Sequence, residues 1–156
     1  GLSAETLKVA VMDQQMVIEQ SKAGKRAVEE LKSYSMARQK IVSADEQELK
    51  ELQEAIHDGK LTDSAKQEKQ AQLQAKAEAY QRRVADFRRE VQQKQREMVL
   101  EYSKKIQLAA QAVGEKTGYD AIIDRGNESA VKIVIYHQPE LDLTGQVVKE
   151  FDRQNK

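Results

Sequence analysis

The chain has no cysteine, a single proline and no net charge, 26 basic residues balancing 26 acidic ones over 156 positions. Without cysteine there is no disulfide, no thiolate zinc site and no cysteine nucleophile. With the charges in balance, no whole-chain field draws the protein to nucleic acid or membrane, so any charge effect must be local. No apolar run approaches the ~20 residues that cross a bilayer. The opening Gly1-Leu2-Ser3-Ala4 carries no signal-peptide core, so a secretory leader, if the gene encodes one, is expected to have been removed. Gly1 to Ser3 read equally as a mature terminus or as a remnant of expression. Histidine is scarce as well: His57 and His137 have no second histidine or cysteine nearby in sequence, and neither reads as a metal ligand. Asp120 and Asp124 stand four apart, on one side of a strand, where they bracket it more simply than they form a catalytic pair. No Walker loop, dinucleotide glycine fingerprint, nucleophile elbow or zincin helix occurs. The expectation is a non-enzyme with no metal and no cofactor.

The shortage of proline and glycine dictates most of the architecture. Between Gln14 and Lys116 there is no proline, and glycine stands only at Gly24, Gly59 and Gly114. The rest is rich in Ala, Glu, Gln, Lys, Arg and Leu, strong helix formers. Asp58-Gly59 ends a first helix that begins after Asp13, a suitable N-cap. Thr62, Asp63 or Ser64 starts a second, Ser64 with Gln67 having the form of a capping box, and Gly118 stops it. Two arms of about 50 residues each would be on the order of 70 Å long, a protruding antiparallel hairpin rather than a compact bundle.

Each arm carries a thin apolar seam. On the returning arm Tyr80, Val84, Phe87, Val91, Met98, Tyr102, Ile106, Ala109 and Val113 follow three- and four-residue steps, with Lys94 at the position between Val91 and Met98. On the outgoing arm Val28, Leu31, Val42, Leu49, Leu52 and Ile56 fit one heptad frame whose intervening positions are Ser35, Arg38 and Asp45. These stripes read as two-stranded coiled-coil packing, weak in the middle. Matching positions about the tip sets Leu31 near Phe87.

At the two ends the pattern turns from helix to sheet. Leu7, Val9 and Val11 alternate along a short strand before the arms. After them, Tyr119–Asp124 and Ala130–Tyr136 are β-rich runs around the turn-forming Arg125-Gly126-Asn127-Glu128-Ser129, and they read as a β-hairpin. Pro139 ends it. A closing helix from Gly145 to Gln154, capped by Asp142 or Thr144, places Val147, Val148 and Phe151 on one face. The division expected is a β body of residues 7–13 and 117–156, and an arm of 14–116 with its tip near 57–62. Three strands and one short helix make a poor core, so the body is expected to complete itself with other copies of the chain. Val9, Val11, Ile123, Ile133 and Ile135 are the candidate core or intersubunit contacts, covered by Val148 and Phe151.

This order of strand, long helical hairpin, β-hairpin and terminal helix resembles the Skp family of periplasmic chaperones, also called OmpH-like proteins, from Leu7 to about Asn155. Its anchors here are Lys8-Val9-Ala10-Val11-Met12-Asp13, Tyr119-Asp120-Ala121-Ile122-Ile123-Asp124, Tyr136 and Leu141-Asp142-Leu143-Thr144. The resemblance implies a mostly helical homotrimer in which three helical arms hang from a central β body and enclose a cavity. It implies a periplasmic holdase, working without ATP, that keeps unfolded outer-membrane proteins soluble.

Local charge adds a candidate surface and a departure. Gln20 to Val42 holds six basic and two acidic residues, and Lys76 to Arg96 seven and three, whereas Ser43 to Asp58 holds one and six. Arg82, Arg89 and Arg96 recur every seven residues and, with Lys94, are the candidate client contacts of a basic belt. The family's basic arm tips suit anionic membranes and lipopolysaccharide. Here the tip carries Glu51, Glu54, Asp58 and Asp63, so lipid and lipopolysaccharide binding is not carried over. Two other classes compete with the holdase: a structural coiled-coil adaptor for folded partners, and a polyanion or nucleic-acid binder, which the neutral charge disfavours.

Overall fold

The computed structural model describes residues 6–129 and 131–156. Asp13 works as a cap: it closes strand β1, Val9–Met12, and opens helix α1, Gln14–Gln20, accepting a hydrogen bond from the Met16 amide at 3.2 Å. The first-turn amides of a helix have no partner within it, which is why a short acidic side chain is stabilising there.

The outgoing helix is not continuous. It breaks at Ser21, whose backbone is extended at ψ 152°, and resumes as α2, Lys22–His57. Ser21 accepts a hydrogen bond from the Gly24 amide at 3.1 Å. Asp152, near the end of the chain, accepts one from the Lys22 amide at 2.8 Å. Two side chains therefore replace bonds that a continuous helix would have made itself. The junction depends on Gly24, where an added Cβ would lie 1.9 Å from the Ile18 carbonyl oxygen. At the far end of α2, Gly59 takes a φ of +72°, a left-handed conformation that glycine adopts at little cost. Helix α3, Asp63–Thr117, is opened by Thr62, which accepts from the Ala65 amide at 3.2 Å. It closes at Gly118, whose amide and that of Tyr119 both donate to the Gly114 carbonyl, at 2.9 and 3.0 Å.

Among the described residues the expected β-hairpin does not form. Strand β2, Ala121–Asp124, pairs instead with β1, in parallel, in the register Val9↔Ala121 to Met12↔Asp124. Parallel neighbours need a long crossover, and the whole helical stretch supplies it. Residues 131–138 are irregular, and Ala130 lies outside the described residues. The amides of Ile133 and Val134 fold back onto the Arg125 carbonyl, at 3.0 and 3.2 Å. Among the described residues the second β-rich run joins no ladder. On the other side β1 meets Asp142 in a single parallel bridge, and the Leu143 amide donates to the Val11 carbonyl at 2.9 Å. The chain ends in a short 3-10 turn, Pro139–Leu141, and helix α4, Thr144–Gln154.

Contacts divide the chain into two compact units: the residues through Glu29 together with Arg96–Lys156, and Glu30–Gln95. The first has a true core of Ala10, Met12, Val17, Ile18, Ile106, Ala109, Val113, Leu143, Val147 and Phe151. Phe151 is fully buried and stacks on Tyr102 with ring centroids 5.8 Å apart. Strand residues alternate sides, so β1 gives Ala10 and Met12 to this core and turns Val9 and Val11 to the opposite face. In the second unit the antiparallel segments of α2 and α3 bury one apolar side chain, Val42.

Candidate functional site

In the second unit, two of the seam positions that the heptad frame leaves polar, Arg38 and Asp45, hold ion-paired side chains, and further charge pairs flank them. Asp45 accepts two hydrogen bonds from Arg83, both at 2.9 Å, and Glu48 pairs with Lys76 at 2.6 Å. Glu90 receives both Arg38, at 3.0 Å, and the Tyr34 hydroxyl, at 3.0 Å. The Arg38 guanidinium lies 3.2 Å from the Tyr34 ring centroid and 5.6 Å from that of Phe87. Lys94 sits 4.6 Å from the same tyrosine ring. A cation over an aromatic face is attracted by the ring's electron-rich centre, so the cluster replaces apolar packing with charge and ring contacts. Hydrogen bonds from Arg38, and then from Tyr34, hold the Glu90 carboxyl below its usual value. Desolvation and the bond to Glu90 raise the Tyr34 phenol.

The helix register departs from the simple match about the tip. Phe87 is met by Arg38, seven residues further along α2 than Leu31. Side chains lean toward the N-terminus of their own helix. In an antiparallel pair they lean in opposite directions, which displaces the contacting positions. Beside the cluster a cleft of about 310 Å³ opens between α2 and α3, lined by Ser35, Arg38, Gln39 and Val42 from one helix and Val84, Phe87, Arg88, Val91 and Gln92 from the other.

In the first unit, a polar knot ties β1 to the closing helix. Asp142 accepts from the Thr144 amide at 3.0 Å, the Thr144 hydroxyl at 2.5 Å and Arg125 Nε at 3.2 Å. Thr144 in turn accepts from the buried Asp13 amide at 3.0 Å, and Asn127 donates to the Asp13 carboxylate at 3.3 Å. Burial works against the charged form of Asp142. The two Thr144 hydrogen bonds and the Arg125 and His137 charges outweigh it and hold the carboxyl below its usual value. Beside the knot lies a bare apolar run: Val131, Ile133, Ile135 and Tyr136 are 83%, 67%, 91% and 80% exposed.

The candidate residues of the sequence divide accordingly. Val11 is buried, Val9 half-buried, and Ile123 exposed beside Val11 on the sheet face turned from the core. Ile133 and Ile135 are exposed, whereas Phe151 is sealed inside the chain's own core with Val148 packed at its edge. Of the basic stripe, Arg89 is bound to Asp86, Lys94 covers Tyr34, and Arg82 and Arg96 are exposed. Tyr34 escaped the sequence reading, although its i,i+4 spacing to Arg38 was the available signal.

A long antiparallel helical pair inserted between the strands of a small parallel sheet, with a terminal helix over the core, defines a mostly helical protein with a small β body. Among the described residues no group of three His, Cys, Asp or Glu side chains is placed to hold a metal, and no helix is long and apolar enough to cross a membrane. The chain belongs to the family of OmpH-like outer membrane proteins, whose sequence pattern it matches over residues 8–151. It is similar in fold to the crystal structure of a candidate outer membrane chaperone (OmpH-like) from Caulobacter crescentus CB15. The TM-score is 0.79 at 20% identity, over 99% of this chain and 89% of that one. No curated protein matches the chain.

Proposed function

We propose that the protein is an ATP-independent periplasmic holdase, a homotrimer that binds unfolded outer-membrane proteins in a cavity between helical arms and keeps them from aggregating. The observation that carries this reading is the thinness of the arm unit, which buries only Val42 among its apolar side chains. Regions with few buried apolar contacts open at low cost. A wall of half-exposed apolar and charged side chains makes many weak, exchangeable contacts without imposing one client conformation. Family membership and the fold of the Caulobacter candidate chaperone support it. Assembly is supported by the bare run from Val131 to Tyr136, a surface too apolar for a lone chain of this size. Ile123, Ile133 and Ile135 are the contacts proposed between copies, with Val9 and Val11 behind them.

The test is light-scattering mass, alone and after addition of a urea-diluted outer-membrane β-barrel protein, with turbidity followed in parallel. Three copies alone, and a soluble complex with client, are expected. A second reading, an adaptor for folded partners, draws on Leu100 and Leu108, exposed at 65% and 62% and eight residues apart on α3. A trimer that leaves the client aggregating at its unassisted rate would favour it.

A further inference from the structure

Within the arm, the cleft between α2 and α3 pairs an apolar floor with a cationic mouth, and its shape follows from four positions. Ser35, Arg38, Gln39 and Val42 on one helix, and Val84, Phe87, Arg88 and Val91 on the other, repeat the same three-, four- and seven-residue steps. In antiparallel order Ser35 falls at the level of Val91 and Arg38 at that of Arg88. A serine is too short to reach across the seam, and two arginines repel. Arg38 escapes by turning to Glu90 and Tyr34, whereas Arg88 has no hydrogen-bond or ion-pair partner among the described residues. The result is a gap of about 310 Å³, at the lower end of the range for binding pockets. Its floor is Val42, Val84, Phe87 and Val91, and an uncompensated cation stands at its mouth.

We infer that this cleft is a binding subsite within each arm for an unfolded polypeptide segment in which a large apolar side chain adjoins an acidic one. The apolar side chain fills the floor, and the carboxylate meets Arg88. The inference rests on the holdase reading and gives it a defined point of contact, separate from any space enclosed between arms. Two features of the cleft select the ligand. The floor excludes purely polar segments, which lose hydration there without apolar gain. The mouth discriminates against basic segments, which face Arg88.

The experiment measures fluorescence anisotropy of three labelled, unstructured peptides against the full chain at low salt. They are identical except for a central Phe-Asp, Phe-Lys or Ala-Asp pair. The Phe-Asp peptide is expected to bind most tightly. The Ala-Asp peptide should bind about ten- to a hundredfold more weakly, the worth of burying one phenylalanine side chain. Arg88→Gln should weaken the Phe-Asp peptide by about two- to fivefold, the size of an exposed ion pair, and should not weaken Phe-Lys. Ser35→Leu fills the cleft from within. It should raise the melting temperature, keep the light-scattering mass, and lose the preference for Phe-Asp.

Equal binding of Phe-Asp and Phe-Lys, or a Ser35→Leu protein that binds like the parent, would overturn the subsite. So would a Ser35-dependent association with phosphatidylglycerol vesicles in place of peptide. The client-turbidity assay separates the two claims. If the parent suppresses aggregation but peptide binding ignores Ser35, the subsite fails and the holdase stands. If the peptide binds selectively while the client aggregates freely, the holdase fails and the subsite stands.

Discussion

Gly24 has no room for a methyl group. A Cβ there would collide with the Ile18 carbonyl and crowd the Ser21 hydroxyl, at the one place where α1 hands over to α2. Gly24→Ala, a helix-favouring change elsewhere, should instead cost about 1–3 kcal/mol, as overpacking does, visible as a lower midpoint in urea. A midpoint unchanged or raised would mean that α1 and α2 run on as one helix. Asp142 carries a pH signature. Its carboxyl is depressed in the folded state, so the stability it contributes is complete above the ordinary aspartate value of ~3.9 and is lost as pH falls through the folded value. The melting-temperature gap between the parent and Asp142→Asn should be full at all pH values above ~3.9 and shrink as pH falls below it. A gap constant with pH would place the effect in packing. At this scale the sequence was legible where one residue type has one use: Asp13 as cap, Gly59 and Gly118 in left-handed turns. Ser21 was not legible, because its flanks are helix formers and its decisive partner, Asp152, comes from the other end of the chain.

Among elements, α4 is short, yet it supplies Val147 and Phe151 to the core and Asp152 to the start of α2. Phe151→Ala should cost about 3–5 kcal/mol, the usual toll of emptying a buried aromatic site. The loss should show as early release of amide protection in the first unit. A mild effect would show that the core collapses around the gap. The helices were readable from periodicity and from the lack of proline. The sheet was only half readable. Two β-rich runs separated by a five-residue turn look like a hairpin, but β2 pairs with β1 from the far side of the helical stretch, a partner that local pattern cannot weigh. The candidate basic belt met a similar limit. Counting charges along α2 and α3 finds cations, but not that Arg38, Arg83 and Lys76 are each answered by an acid across the seam.

For the whole molecule, the bare run after β2 and the residual cations make separable predictions. Ile133→Asp puts a charge on a side chain that is 67% exposed in one chain. It should leave the monomer folded by circular dichroism and dissociate the proposed trimer, read as a drop in light-scattering mass. An unchanged mass would place the contacts elsewhere. Affinity for the proposed unfolded client should fall as salt rises from low ionic strength to ~0.5 M, because exposed charges are screened within a few ångströms there. With Arg38, Lys76 and Arg83 already paired across the seam, the fall should be shallow, and no fall at all would remove the electrostatic contribution.

The parallel pairing of β1 with β2 also governs the order of folding. Val9 finds Ala121, and the Lys8 amide finds Asp120 across a separation of 112 residues. Such a closure carries a large entropic cost until something shortens the loop. Helices form in about a microsecond, and pairing of α2 with α3 draws the chain's ends toward each other. During synthesis β1 precedes the arm and must wait, unpaired, until all of the arm has been made. The arm is then the template on which the body closes. A change that delays the turn at Gly59 should slow the appearance of the sheet more than one of equal cost within the sheet's own neighbourhood.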